Sequence, residues 1–95
     1  MLLGLLITTR RYKEHIVAIL REARKEGHDL RVFMMDEGCL LLREEDFLQA
    51  LQGLDVAVCD LNRRALGIEP PQGVRLGSQY DNARMAHECE RLLVF

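Results

Sequence analysis

The chain has no long hydrophobic segment, no internal repeat and no low-complexity linker in its 95 residues. Its apolar opening, Met1–Ile7, is far shorter than the roughly 20 residues that a membrane-spanning helix needs. No positively charged segment precedes this run and no small-residue cleavage site follows it, so a buried strand is a better interpretation than a signal peptide. These absences predict one domain over residues 1–95, located in the cytoplasm and away from the membrane.

The chain also lacks a charge excess and the cysteine spacing of a metal site. Its formal net charge is −2 at pH 7, which provides no positive field for nucleic acid or for anionic lipid. Cys39, Cys59 and Cys89 form no CxxC pair and no cluster with histidine, so we expect no zinc. In a reducing cytoplasm, all three are expected to be free thiols.

Phosphate-binding turns are missing as well. Thr8–Arg11 follows the first predicted strand, where a helix N-terminus can hold an anion. However, the glycines of a P-loop or of a dinucleotide-binding turn are absent, as are the acidic cluster of a phosphoacceptor domain and the Ser/Thr/Gly-rich loop of a flavin protein. We therefore expect a solvated basic turn at this position, and no cofactor.

What the chain does contain is a repeated switch between strand and helix patterns. Strands are predicted over 2–8, 30–35, 55–59, 74–76 and 91–95, and helices over about 9–27, from 44 onward, over about 60–66 and over about 78–90. The first helix is expected to begin at a Thr9 cap, to end at Gly27 and to bury a stripe of Tyr12, Ile16, Ile19, Leu20 and Ala23. Ser78 is the expected cap of the last helix. Strands that are apolar on both sides are typical of a parallel sheet covered by helices on both faces. The predicted fold is therefore α/β, a flavodoxin-like three-layer sandwich with a mainly parallel four- to five-stranded sheet.

Candidate functional residues are sought where the strands of such a sheet end. The predicted carboxyl ends are Thr8–Arg11, Asp36–Cys39 and Cys59–Asn62. Cys59 is the sharpest candidate, because it ends a strand directly before a helix whose unpaired amides and dipole stabilise a thiolate. The alternative is that Cys59 is a small buried apolar residue, as cysteine often is.

Charged residues near Cys59 act in opposite directions. Arg63 and Arg64 lie one turn further along the predicted helix and would favour a thiolate, whereas Asp60 would disfavour it.

The other two cysteines are weaker candidates. Cys39 is a candidate second thiol, which could approach Cys59 across the edge of the sheet, or it is a loop cysteine that packs under the leucines after it. Cys89 has the spacing of a core residue on the last helix, on the same face as Met85, while His87 points elsewhere.

Leu40–Leu42 is an unusual apolar run directly after a strand end. It predicts either a partner surface or an early helical turn packed inward. Because a chain of this length buries a modest core, we favour a subunit interface.

Three segments together resemble the DsrE/DsrF-like family of sulfur-relay proteins, which includes the TusBCD and DsrEFH subunits. Val32–Cys39 is similar to the family's strand and acidic-glycine turn. Val56–Cys59, with Arg63, Arg64 and Gly67 after it, is similar to the motif in which a strand delivers the active cysteine. Leu76–Ser78 and the closing 90–95 segment resemble the family's last helix and strand.

This resemblance implies that Cys59 accepts sulfane sulfur from a donor protein, holds it as a persulfide and passes it to an acceptor protein. It also implies a homo-oligomer, a trimer or hexamer, or a mixed oligomer, which agrees with the modest core. The negative charge of Asp60 beside the thiol disfavours the thiolate that this chemistry needs. In addition, some family members lack the cysteine and serve as structural partners. The alternative function is therefore a non-catalytic assembly subunit that works through its leucine run.

Overall fold

A five-stranded, fully parallel sheet forms the centre of the molecule. The computed structural model covers residues 1–95, and its strands are Leu2–Ile7 (β1), Asp29–Met34 (β2), Asp55–Cys59 (β3), Val74–Gly77 (β4) and Arg91–Val94 (β5). Their order across the sheet is β4-β3-β2-β1-β5, and every neighbouring pair is parallel. The predicted α/β architecture, a flavodoxin-like three-layer sandwich, is confirmed.

Helices make all the connections between strands. The α-helices are Lys13–Lys25 (α1), Glu45–Leu51 (α2), Asp60–Ala65 (α3) and Gln79–Glu88 (α4), and a 3-10 helix spans Asp36–Arg43. None of them combines the length and the apolar composition that crossing a bilayer requires.

The strand order explains why the helices are shared unevenly between the two faces of the sheet. From β1 to β4, each strand is added beside the previous one in the same direction, so right-handed crossovers place the intervening helices on one face. The chain then returns past the whole sheet to put β5 beside β1, and α4 crosses the opposite face. We call the face of Leu5, Val32 and Val56 the α1 face, and the face of Leu6, Phe33 and Ala57 the α4 face.

The α1 face carries most of the core. Its cluster contains 17 buried residues, whereas the cluster on the α4 face contains only four, namely Phe33, Ala57, Cys59 and Met85. The larger cluster joins alternate residues of β1, β2 and β3 to α1, α2 and the 3-10 helix. Since apolar burial is the main source of folding free energy, the α1 face supplies most of the stability.

The first helix begins later than its pattern predicts. We expected Thr9 as its cap and Tyr12 and Ile19 in its buried stripe, but α1 starts at Lys13, Tyr12 is 41% exposed and Ile19 is half-buried. The Thr9 hydroxyl instead accepts a hydrogen bond from the Arg11 N–H at 3.2 Å, which forms a local turn. The helix ends at Gly27, as predicted, with a φ of 80° that favours glycine.

The expectation that Leu40–Leu42 forms a subunit interface is wrong. Leu41 and Leu42 are buried and belong to the core of the α1 face, while Leu40 is half-buried against it. The run is part of the 3-10 helix, so its side chains turn inward against α2 and the sheet. The alternative interpretation, an early helical turn packed inward, is the correct one.

Candidate functional site

The carboxyl ends of β2 and β3 meet at one edge of the sheet, as the parallel arrangement predicts. The Asp36 N–H donates a hydrogen bond to Asn62 Oδ1 at 2.8 Å, which ties the turn after β2 to α3. Asp36 holds a φ of 49°, an unusual value for a residue other than glycine. The carboxyl end of β1 is tied elsewhere, since the Thr8 hydroxyl donates to the Phe95 carbonyl at 2.8 Å.

Gly38 fixes how closely the turn after β2 approaches β1. A Cβ atom at this position would lie 2.2 Å from the Ile7 carbonyl oxygen. Because this neighbour is backbone, it cannot move aside, and only glycine fits the position.

Cys59 occupies the place that the sequence predicts for it. It is the last residue of β3 and the N-cap residue of α3, with extended backbone angles. Strand alternation directs its side chain to the α4 face, where it belongs to the cluster of Phe33, Ala57 and Met85. The candidate thiol therefore lies between the end of the sheet and the start of α4.

The Cys59 thiol is nearly buried but lies on the wall of a groove. The residue is 6% exposed, and it borders an open groove of about 470 Å³. The other lining residues come from the start of α3, from β4 and from the first turn of α4: Asp60, Leu61, Leu76, Gly77, Ser78, Gln79 and Asp81. Cys59 thus borders the groove, and the first turn of α4 forms one of the groove's sides.

The charged residues after Cys59 pair with one another. Asp60 accepts from Arg63 Nε at 2.8 Å and from an Arg64 guanidinium nitrogen at 2.9 Å. We expected Arg63 and Arg64 to favour a thiolate and Asp60 to disfavour it. Because these residues pair with one another, their opposite charges offset each other next to Cys59. In addition, α3 has only six residues and none is buried, so its dipole contributes little.

Cys39 is a buried core thiol. It has no exposed surface and belongs to the cluster of the α1 face, and its Sγ makes a long 3.8 Å contact with the Met34 carbonyl. Burial raises the pKa of the Cys39 thiol to about 11, with smaller contributions from Cys59 and Asp36. A thiol in this state stays protonated at neutral pH and is a poor nucleophile.

Cys39 and Cys59 belong to different core clusters, although they lie near enough for Cys59 to raise the pKa of Cys39. Cys39 packs with the α1 face and Cys59 with the α4 face. A disulfide needs Cβ atoms about 4 Å apart, with their side chains directed at each other. The role of Cys39 as a second thiol therefore receives no support from this arrangement.

Cys89 and His87 lie at the end of α4, away from its first turn. Cys89 is the C-cap residue of α4, half-buried, and burial raises the pKa of its thiol. His87 is exposed on α4. No group of three or more His, Cys, Asp and Glu side chains is placed to hold a metal ion.

Sequence reasoning missed an ion-pair network on the α4 face. Within the sheet, Asp55 on β3 pairs with Arg75 of β4 at 2.7 Å and with Arg31 of β2 at 3.6 Å. The signal was present in the sequence, because strand alternation puts these three residues on the same face as Phe33 and Ala57.

The same network reaches across to α4. Arg75 contacts Asp81 at 3.4 Å, and Arg31 contacts Glu88 at 2.5 Å. A cavity of about 70 Å³ lies between these residues and Met85. The strand and helix patterns could not reveal these pairs, because they depend on which helix covers which face.

An exposed apolar rim, Leu61, Leu76 and Tyr80, surrounds the groove of Cys59. Leu61 is 76% exposed, Leu76 50% and Tyr80 70%, and the first two line the groove directly. Tyr80 lies in the first turn of α4, next to the lining residue Gln79. Large exposed apolar side chains grouped around a groove are typical of a contact surface.

Comparison with known proteins identifies the fold. The YchN protein of E. coli, known from a crystal structure, matches with a TM-score of 0.73 over 99% of this chain and 97% of that chain, at 20% sequence identity. No family model matches the chain. No curated protein matches its sequence either. The chain therefore shares its fold with YchN, and any statement about its chemistry must rest on the residues of the site.

Proposed function

We propose that this chain is a cytoplasmic sulfur-relay protein, one DsrE/DsrF-like domain over residues 1–95, that carries sulfane sulfur as a persulfide on Cys59. The observation that carries the proposal is the position of Cys59, at the carboxyl end of β3 on the wall of an open groove. The fold that accompanies the resemblance in the sequence is also the fold of the molecule, which adds support.

The proposed step is a thiol exchange without net oxidation. The Cys59 thiolate attacks the outer sulfur of a donor persulfide, R–S–SH, and a new S–S bond forms as the donor's S–S bond breaks. The donor leaves as the thiolate R–S⁻ and takes up the proton released by Cys59. The persulfide is then passed to an acceptor thiolate by the same exchange in the reverse sense. Each step is a sulfurtransferase reaction.

The surroundings of the groove favour proteins as donor and acceptor. Its two charged lining residues, Asp60 and Asp81, are already paired with arginines, so the groove offers no free charge to a small ion. Its rim is formed by the exposed side chains of Leu61, Leu76 and Tyr80. A neutral, apolar rim fits a protein surface, where apolar burial supplies the affinity.

The edge strand β5 supports the oligomer that the resemblance implies. It pairs only with β1, and its Leu93 and Val94 are 37% and 61% exposed. An exposed apolar edge strand is a natural site for association with another chain. A homo-oligomer, trimer or hexamer, or a mixed oligomer is therefore part of the proposal.

A persulfide on Cys59 is tested by intact mass. After incubation with polysulfide, the wild-type protein is expected to gain about 32 Da, the mass of one sulfur atom, and to lose it on reduction. Cys59→Ala should show no gain, while the matched control Cys89→Ala should behave as the wild type. An equal gain on Cys59→Ala, or none on the wild type, would contradict the proposal.

A second candidate is a non-catalytic assembly subunit, favoured by the near-complete burial of Cys59 and by the apolar rim. In that case Tyr80→Asp should dissolve the assembly in light scattering, whereas Cys59→Ala should leave both assembly and partner binding unchanged. A normal polysulfide adduct on Cys59 would argue against this candidate.

A further inference from the structure

The helix that covers Cys59 is held to the sheet by few apolar contacts. Only Met85 of the ten residues of α4 is buried, whereas α1 buries Ile16, Leu20 and Ala23. The partly buried neighbours on this face, such as Leu92 and Cys89, add little further area. The attachment of α4 is therefore weaker than that of α1.

Ion pairs make up a large part of the remaining attachment. Arg75 on β4 contacts Asp81 in the first turn of α4, and Arg31 on β2 contacts Glu88 in its last turn. Arg75 is itself held in place by Asp55 at 2.7 Å. These side chains are all partly exposed, so salt screens the pairs and each contributes modestly.

The first turn of α4 is also the side of the groove that restricts access to Cys59. Ser78, Gln79 and Asp81 line the groove, and Gln79 reaches back only to the Met35 sulfur, at 3.6 Å. The strand before this turn, β4, is an edge strand of four residues that pairs with β3 alone. A displacement of this turn would expose the thiol without disturbing the core of the α1 face.

We propose that α4 is a movable cover of the Cys59 thiol, held closed by the ion pairs Arg75–Asp81 and Arg31–Glu88, which join the sheet to the helix. This inference rests on the proposed function for its purpose, since access matters only if Cys59 reacts with a partner. Regions that open locally have few buried apolar contacts and exposed polar ones, and α4 has both properties. A partner that displaces the Arg75–Asp81 contact would open the cover as it docks on the rim.

Cys39 provides an internal control for the measurement. It is fully buried under the helices of the α1 face, so a reagent should reach it only when the whole molecule unfolds. Cys59 should be reached whenever α4 opens. The ratio of the two alkylation rates therefore separates local opening from global unfolding.

The test is alkylation of the native protein by iodoacetamide, with the label on each cysteine assigned by peptide mass mapping and each rate divided by that of the denatured chain. We expect Cys59 to be labelled much faster than Cys39, and faster at high salt than at low salt. Arg75→Gln should raise the Cys59 rate about two- to fivefold, the effect of losing the one partly exposed ion pair by which Arg75 joins the sheet to α4. The Cys39 rate should change much less.

The matched control is Lys13→Gln, which removes a cation that also pairs with two carboxylates, Glu44 at 2.7 Å and Asp46 at 2.8 Å, but on the α1 face. It should leave the Cys59 rate unchanged. Equal normalised rates for Cys59 and Cys39, or no response of Cys59 to salt and to Arg75→Gln, would overturn the proposal. Alkylation uses no sulfur donor, so a cover that opens without any polysulfide adduct on Cys59 would refute the relay function alone.

Discussion

The two faces of the sheet differ in how many buried apolar residues they contain. The α1 face buries 17 residues in one cluster and encloses Cys39, a thiol held protonated by its burial. The α4 face buries four residues, is crossed by one helix and carries a network of ion pairs, and it contains Cys59. The thickly covered face can therefore maintain the fold, and local opening is expected first on the thinly covered face.

The largest expected effect comes from replacing one buried phenylalanine on each face with alanine. Phe47 is fully buried in the cluster of the α1 face, and Phe33 is 1% exposed in that of the α4 face. Phe47→Ala should lower the free energy of unfolding by about 3–5 kcal/mol, because its cavity is enclosed by core residues. Phe33→Ala should cost about 3 kcal/mol or less, because a thinly covered site can relax around the cavity. Urea denaturation measures both, and equal losses would mean that the faces are equally well packed.

An intermediate effect is expected from the ionisation of Cys39. Its pKa is raised from 9.0 to about 11 in the folded chain, so between these pH values the unfolded thiol loses its proton while the folded thiol keeps it. The unfolded state then binds fewer protons, and stability falls as pH rises through this window, by about 2 kcal/mol from this group. Below pH 9 the group contributes no pH dependence.

Cys39→Ala isolates that contribution, since other groups titrate in the same alkaline range. The variant should lose less stability between pH 9 and 11 than the wild type in chemical denaturation. Parallel curves for the two proteins would show that Cys39 is more accessible than its burial in the α1 face implies.

The smallest expected difference concerns the starts of the two principal helices. The Ser78 hydroxyl accepts from the Tyr80 N–H and Asp81 accepts from the Ser78 N–H, which together form a capping box at α4. Ser78→Ala should cost about 1 kcal/mol, whereas Thr9→Ala should stay within about 0.5 kcal/mol because α1 has no side-chain cap. Thermal unfolding of both variants decides this, and a larger loss for Thr9→Ala would restore Thr9 as the cap of α1.

The elements of this fold could be predicted from the sequence because local patterns specify them. The third strand ends at Cys59, Gly27 ends α1 and Ser78 caps α4, as the pattern indicated. Apolar runs, caps and helix-ending glycines are short-range signals, and the structure follows them. The position of Cys59 at the start of a helix belongs to the same class of prediction.

What could not be predicted depends on the order of the strands. Whether Cys39 can meet Cys59, and which helix covers Cys59, follows from the order β4-β3-β2-β1-β5, which no local pattern specifies. The inward turn of Leu41 was missed for a related reason, since a three-residue apolar run does not indicate which layer it will contact. The pairing of Arg63 and Arg64 with Asp60, in contrast, could have been predicted from their i,i+3 and i,i+4 spacing on α3.

The placement of the three thiols has a consequence for any sulfur held on Cys59. Cys39 is buried in the cluster of the α1 face, and Cys89 Sγ lies 2.9 Å from where a Gly4 Cβ would be, in register with Arg31 and Asp55. This position of Cys89 lies two strands away from β3 and level with Asp55. Asp55 precedes Cys59 by four residues, a distance on the order of 13 Å along the strand. Cys89 is therefore too far away to displace a sulfur held on Cys59 by closing an internal disulfide, and the Cys39 thiol is kept protonated by its burial. A sulfur held on Cys59 would then leave only when a thiolate of another protein attacks it. The acceptor protein, rather than this chain, would therefore control its release.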